Sequence, residues 1–179
     1  VRDSDYGINP EGKTAILTIT KSLLKHGANP NARLVQDKKK LAEEIKAGAN
    51  AFYGKRTALT ITEIELQGAT PLWLASEVGN IDVVKALVEA GADPKIANDR
   101  GTTALIMASG AGTDVQRARE PEERAMALET VKFLVEQGVD VNAAGQFGWT
   151  ALHAASYQGM NDVIAYLVSK GANIDQKDE

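Results

Sequence analysis

The 179-residue sequence predicts an all-α fold, an array of helix pairs laid side by side and joined by turn-rich fingers. Three observations predict it. The segments GATPLWLASEVGNIDVVKALVEAGADP from Gly68, GTTALIMASGAG from Gly101 resuming at Ala127, and GWTALHAASYQGMNDVIAYLVSKGANI from Gly148 repeat one pattern. Their spacing is regular: Thr70 and Thr103 stand 33 residues apart, as do Gly138 and Gly171, and the Thr103 to Thr150 step is 14 residues longer. Within each segment, apolar residues recur at helical spacing between glycine stops.

One unit serves for all. Thr70 caps a short helix and Pro71, needing no N–H, occupies its first position. Leu72, Leu74 and Ala75 give that helix an apolar side, and Gly79 ends it in a left-handed conformation. A second helix starts at Ile81 and carries Val84, Leu87 and Val88 on one face until Gly91 stops it. Ala92-Asp93-Pro94 leads into an extended stretch, and Asn98-Asp99-Arg100-Gly101 is turn chemistry. Such a unit cannot bury its stripe alone and has to stack on its neighbours.

TPLWLASEVGN with VVKALVEAGADP, and TALHAASYQGM with VIAYLVSKGANI, resemble ankyrin repeats. The resemblance covers Gln67–Asp175 apart from one insertion, and reaches back to Leu17–Ala32, the second half of an earlier repeat. It implies an ankyrin-repeat α-solenoid of stacked helix pairs with β-turn fingers, of the bacterial type in its insertion-rich style. The motif histidine survives only as His153; Trp73 and Ile106 replace it, and Ala104 and Ala151 replace the proline. In the family that histidine belongs to a structural hydrogen-bond network, so local rigidity is what these departures put in question.

The whole chain reads as one ankyrin-repeat domain. It divides into a partial repeat over 1–32, a finger insertion over 33–67, a repeat over 68–98, a repeat over 99–145 holding a 14-residue insertion near 113–126, and a repeat over 146–178. The finger insertion predicts a short helix Leu41–Ala47 and, from the alternation in LTITEIEL, a small β-hairpin. Glu120-Pro121-Glu122-Glu123 is a strong helix start, so one long second helix is expected over Pro121–Gln137. Val1 enters inside a helix-to-helix loop and Glu179 reaches the next turn without its glycine, as expected for an excerpt of a longer array.

Composition narrows function. A net charge of −4 and a pI near 5.3 argue against nucleic acid, which requires a basic stripe. Cysteine is absent, so disulfides and thiolate metal sites are excluded. No apolar run approaches the ~18 residues of a membrane span, which leaves a soluble chain of cytoplasmic or periplasmic location. Gly7-Ile8-Asn9-Pro10-Glu11-Gly12-Lys13-Thr14 satisfies the phosphate-loop pattern, but the strand and parallel-sheet context it needs are missing, and the repeat register makes Thr14 a helix cap. Asp3, Asp5 and Asn9 imitate a calcium loop without its sixth-position glycine or its glutamate. His26 and His153 have no nucleophile or ligand cluster at a useful spacing and are read as structural. The run Asp37-Lys38-Lys39-Lys40 is read as a solvated loop.

The function expected is that of a protein–protein interaction scaffold rather than an enzyme, without cofactor, metal or small-molecule substrate. The alternatives are a regulatory or substrate-recruiting array within a larger multidomain protein, and nucleotide binding at GINPEGKT. The resemblance places Asp99, Arg100, Gln146, Phe147 and Trp149 at finger tips. It places Glu77, Tyr157 and Gln158 at the variable ends of the first helices, facing a concave groove. Gly110 and Ala111 are expected to leave a shallow gap between Glu77 and Tyr157. Phe147 and Trp149 either anchor a partner or pack on the neighbouring finger.

Overall fold

The computed structural model describes residues 10–35, 66–112 and 120–178. Helix α1 spans Pro10–Lys25 and is followed by the pair α2 (Pro71–Glu77) and α3 (Ile81–Glu89). In the next pair, α4 (Ala104–Ile106) continues into a kinked turn Met107–Ala111 and faces the longer α5 (Pro121–Glu136). The last pair is α6 (Ala151–Tyr157) and α7 (Asn161–Ser169). The described residues contain no strand. The expected hairpin and the Leu41–Ala47 helix fall within 36–65 and lie outside the described residues, as do Asp3, Asp5, Asn9 and the lysine run.

Each first helix starts the same way. The hydroxyls of Thr70, Thr103 and Thr150 accept the N–H of Trp73, Ile106 and His153, at 3.2, 3.3 and 3.4 Å. Each cap satisfies a helix-end donor that burial would otherwise leave unpaired. Four loops after the second helices also coincide. The side chains of Asn29, Asp93, Asp140 and Asn173 each accept the N–H two residues on, at 2.9 to 3.0 Å. These Asx turns bend the chain out of the helix into the finger.

Two asparagines then tie neighbouring loops together. Asn31 donates to the Gly91 carbonyl and accepts the Asp93 N–H; Asn142 does the same with Gly171 and Asn173. Lys95 takes that register position in the repeat between them and extends beside Gly138 instead. The core is one apolar column through the stack. Leu72, Val84, Leu105, Val131, Leu134, Val163 and Leu167 are almost wholly buried in a single cluster. A fully buried leucine contributes roughly 2–3 kcal/mol, so neighbours supply most of what holds each pair.

Trp73, standing where the motif histidine would be, resolves the question of rigidity. Its ring is buried with Ala69 and Met107, and its indole N–H donates to the Thr102 carbonyl at 2.9 Å. The tryptophan thereby supplies a bond to the following finger from a histidine position. His153 keeps a local role, with Nδ1 2.9 Å from the Thr150 hydroxyl and accepting the Thr150 N–H.

Three expectations change in detail. Helix α1 already begins at Pro10, so Thr14 lies inside it and is not its cap; proline at a first-turn position starts the helix earlier. Lys13 of the phosphate-loop pattern donates its ammonium to the Met126 sulfur at 2.9 Å, spanning from α1 to α5. The long helix ends at Glu136, with Gln137 as its cap. Glu120 opens it, its N–H held by the Glu123 carboxylate. In the inserted repeat the left-handed residue is Gly110, at φ 108°, while Gly112 has φ −92°. The equivalent turns elsewhere are made by Gly79 and Gly159. The chain thus leaves the first helix two residues early, through the left-handed Gly110.

The second helices carry a ladder of cations over rings. The Lys85 ammonium lies 6.0 Å from the Phe133 ring, and Lys132 and Lys170 lie 5.8 and 5.5 Å from the Tyr166 ring. Burial, and after it the Glu136 carboxylate, push the Tyr166 phenol above its ordinary value.

Leu134→Ala is expected to cost about 3 kcal/mol in denaturant unfolding, because its cavity opens in the middle of the column. Trp73→Phe removes the indole bond and leaves a small void at a fully buried site, and should cost about 2 kcal/mol, although the Thr102 carbonyl retains its bond from the Asn98 N–H. In an ultraviolet titration with Tyr166→Phe as baseline, the Tyr166 phenol should ionise above pH 10, and Glu136→Gln should lower its midpoint. Because the folded value is the raised one, its contribution to stability holds below pH 10 and fades as pH climbs through the folded value.

Candidate partner-binding surface

Within the first finger Leu34 N–H donates to the Ala69 carbonyl and Gly68 N–H to that of Leu34, both at 2.8 Å. Neighbouring fingers meet through single backbone bonds. Asp99 N–H donates to the Gln67 carbonyl at 3.0 Å, and Gln146 N–H to the Arg100 carbonyl at 2.8 Å. The tip residues Asp99, Arg100 and Gln146 are therefore fixed in their main chain by the finger before or after. The Asp99 carboxylate is also taken, pairing with Arg33 at 2.7 Å across the first two fingers. That pair passes over Gly68, where any side chain would collide with both partners.

The last finger closes like the one before it, Gly145 N–H on the Trp149 carbonyl at 2.8 Å matching Asn98 N–H on the Thr102 carbonyl at 3.0 Å, and differs in the backbone of its tip. Phe147 sits at φ 63°, ψ 23°, the one non-glycine residue of positive φ among the described residues. For a bulky aromatic that conformation costs about 1–2 kcal/mol. The bonds of Gly145 and Gln146 hold it from both sides. The ring it presents is 56% exposed.

From that finger a line of rings runs onto α6. The Trp149 indole stacks on the His153 imidazole at 6.4 Å and 23°, and meets the Tyr157 ring edge-on at 5.8 Å and 67°. Tyr157 is 52% exposed, whereas Trp149 and His153 are half-buried. Edge-to-face and offset contacts of this kind add about 0.5–1.5 kcal/mol each beyond area burial. Rings locked in this way lose little entropy when another surface covers them.

The remaining expected residues fall elsewhere. Gln158 turns inward: its amide donates to the Gly110 carbonyl at 3.2 Å, and its stem fills the space a side chain on Gly110 would need. The shallow gap expected at Gly110 and Ala111 is therefore occupied by the chain's own glutamine on that side. Gly110 is buried, and Ala111 packs against the core. Glu77 is half-buried at the end of α2, beside an exposed Val78.

The structure thus brings together Phe147, Trp149 and Tyr157 on one repeat, and sets Glu77, Asp99 and Arg100 on repeats before it. His153 joins the aromatic line, which the sequence reading did not foresee. Part of the signal was present, because His153 and Tyr157 stand four residues apart and so fall on one face of α6; Trp149 precedes the helix in extended backbone. The left-handed Phe147 had no such signal; asparagine or glycine is what that backbone ordinarily selects.

Among the described residues, no set of three histidine, aspartate or glutamate side chains is placed to hold a metal. No described helix is long and apolar enough to cross a membrane. A cleft of about 170 Å³ beside Arg124 and Met160–Val163 is smaller than the ~300 Å³ at which small-molecule sites begin.

Gly110→Ala should destabilise the fold by about 1–3 kcal/mol in thermal unfolding, since the left-handed backbone and the Gln158 stem both oppose a methyl group.

Comparison with known families bears on the same segments. The family model described as "Ankyrin repeat" matches residues 67–99, and that described as "Ankyrin repeats (3 copies)" matches residues 124–178. No curated protein matches the chain. With its threonine-capped helix pairs, its repeated Asx turns and these two matches, the chain belongs to the ankyrin-repeat proteins.

Proposed function

We propose that this array is a protein–protein interaction scaffold that grips its partner chiefly through the last finger and α6. Ankyrin repeats are in general protein-interaction modules, and that supports the class. The observation that carries the finer reading is Phe147. Its ring is exposed at a backbone cost, on the same repeat as the exposed ring of Tyr157. Strain persists where surrounding structure overdetermines it, and strained positions cluster at binding sites. Exposed, prelocked aromatics are the commonest anchors of protein interfaces.

Trp149 and His153 act in this reading as the base on which Tyr157 rests, with Gln146 widening the contact. Arg100, Asp99 and Glu77 extend the surface along the earlier repeats and contribute to partner choice more than to affinity.

The test is affinity capture from extract with three immobilised proteins: the parent chain, Phe147→Ala/Tyr157→Ala, and a control altered at Glu89 on α3. The parent and the control should retain the same proteins, and the aromatic variant should lose them. Identical retention by all three would refute the proposal. Phe147→Gly should leave thermal stability unchanged or raised by up to ~1 kcal/mol, because glycine accepts the left-handed backbone, while capture falls as for alanine. Loss of stability with capture intact would assign Phe147 to packing instead.

A further inference from the structure

The loops after the four second helices are built alike but not tied alike. Asn31 donates its amide to the Gly91 carbonyl at 2.9 Å and accepts the Asp93 N–H at 2.7 Å. Asn142 repeats both bonds on Gly171 and Asn173, at 3.1 and 2.7 Å. Each asparagine is thus a two-bond clamp, closing the joints α1–α3 and α5–α7 on their loop edge. At the joint between them, α3–α5, the same register position holds Lys95. An ammonium has donors but no acceptor, so it cannot take the Asp140 N–H. Among the described residues neither that N–H nor the Gly138 carbonyl is bonded, and both residues are exposed. The Lys95 ammonium instead lies beside Gly138, where it suits the negative end of α5 without fixing the loop.

What does cross this joint holds the repeats together without fixing their angle. Val84, Leu87, Val131 and Leu134 share the buried column, and apolar burial is non-directional. The fingers supply a pivot. Gln146 N–H bonds the Arg100 carbonyl, and Gly101 lies so close to Gly145 that a side chain on it would stand 3.4 Å from the Gly145 Cα.

We infer that the α3–α5 joint is the hinge of this array. Asp93–Lys95 and Asp140–Asn142 swing apart and together about the apolar column, while the clamped joints on either side stay shut. The swing changes the distance between Glu77 on α2 and the aromatic rings on α6, so the lysine gives the array an adjustable curvature that asparagine would remove. Residues on both sides of the joint are described, and the motion belongs to the chain alone, so its test does not depend on the binding surface proposed above.

The chain has no cysteine, which permits spin labels at chosen pairs. Glu89, Glu136 and Ser169 each stand two residues before the glycine that follows a second helix, and all three are exposed. Glu89→Cys/Glu136→Cys therefore reports the α3–α5 joint, and Glu136→Cys/Ser169→Cys the clamped α5–α7 joint. Pulsed electron resonance in frozen solution should give a distance distribution about twofold wider for the first pair than for the second. Lys95→Asn should narrow the first to the width of the second and slow amide exchange at Asp140 about tenfold, since that N–H gains an acceptor. Lys95→Ala, which removes the charge without supplying a clamp, should leave the first pair wide. Asn142→Lys should widen the second pair, moving the hinge one repeat along. Equal widths in the parent chain would overturn the inference. So would a first width or an Asp140 exchange rate that Lys95→Asn leaves unchanged. Narrowing by Lys95→Ala as large as that by Lys95→Asn would also overturn it, by placing the effect in the charge rather than in the missing bonds.

Discussion

Everything in this molecule depends on the fact that no helix pair is large enough to bury its own apolar face. A seven-residue helix on a nine-residue helix leaves too much leucine and valine in water, and an isolated helix of such length is marginal in any case. The faces are dry only because the next pair covers them. That is why the buried residues form one column rather than separate cores, and why Val84, Leu105, Val131 and Leu134 lose almost all their solvent contact in the middle of the stack. The polar links follow the same logic. Asn31, Asn142 and the Trp73 indole all bond outside their own repeat, so they fix the register between units that apolar contact alone would let slide.

Stacking also explains how function can be concentrated at a few points. The stacked column holds the fingers still, and backbone bonds from one finger to the next hold the tips. Against that fixed frame the chain tolerates an energetically poor conformation at Phe147 and a kink at Gly110. The inserted repeat illustrates the tolerance well. Its first helix breaks off early at Gly110, yet Gln158 from the next repeat fills the resulting space and donates a bond to the Gly110 carbonyl.

The sequence made the fold legible because its signals are periodic and redundant. Threonine caps, glycine stops and the leucine–alanine pairs recur in register, so one ambiguous copy is corrected by the others. It was less informative wherever one residue departs from the pattern. Nothing in the local sequence shows that Trp73 would reach the Thr102 carbonyl, because that bond joins different repeats. The early exit at Gly110 was hidden by Gly112, which occupies the expected register position but adopts an ordinary backbone. At the candidate site the exposed rings of Phe147 and Tyr157 were legible as finger-tip and helix-end positions. The strain beneath Phe147 and the inward turn of Gln158 were not, since both are settled by neighbours distant in sequence.

The central claim is that each pair borrows its stability from the pairs beside it. Native-state amide hydrogen exchange on Leu134→Ala tests it most directly, because that side chain lies in α5, between α3 and α7. If the account holds, protection falls in α3 and α7 by amounts comparable to the fall in α5. Loss of protection confined to α5, with α3 and α7 exchanging as in the parent chain, would contradict it.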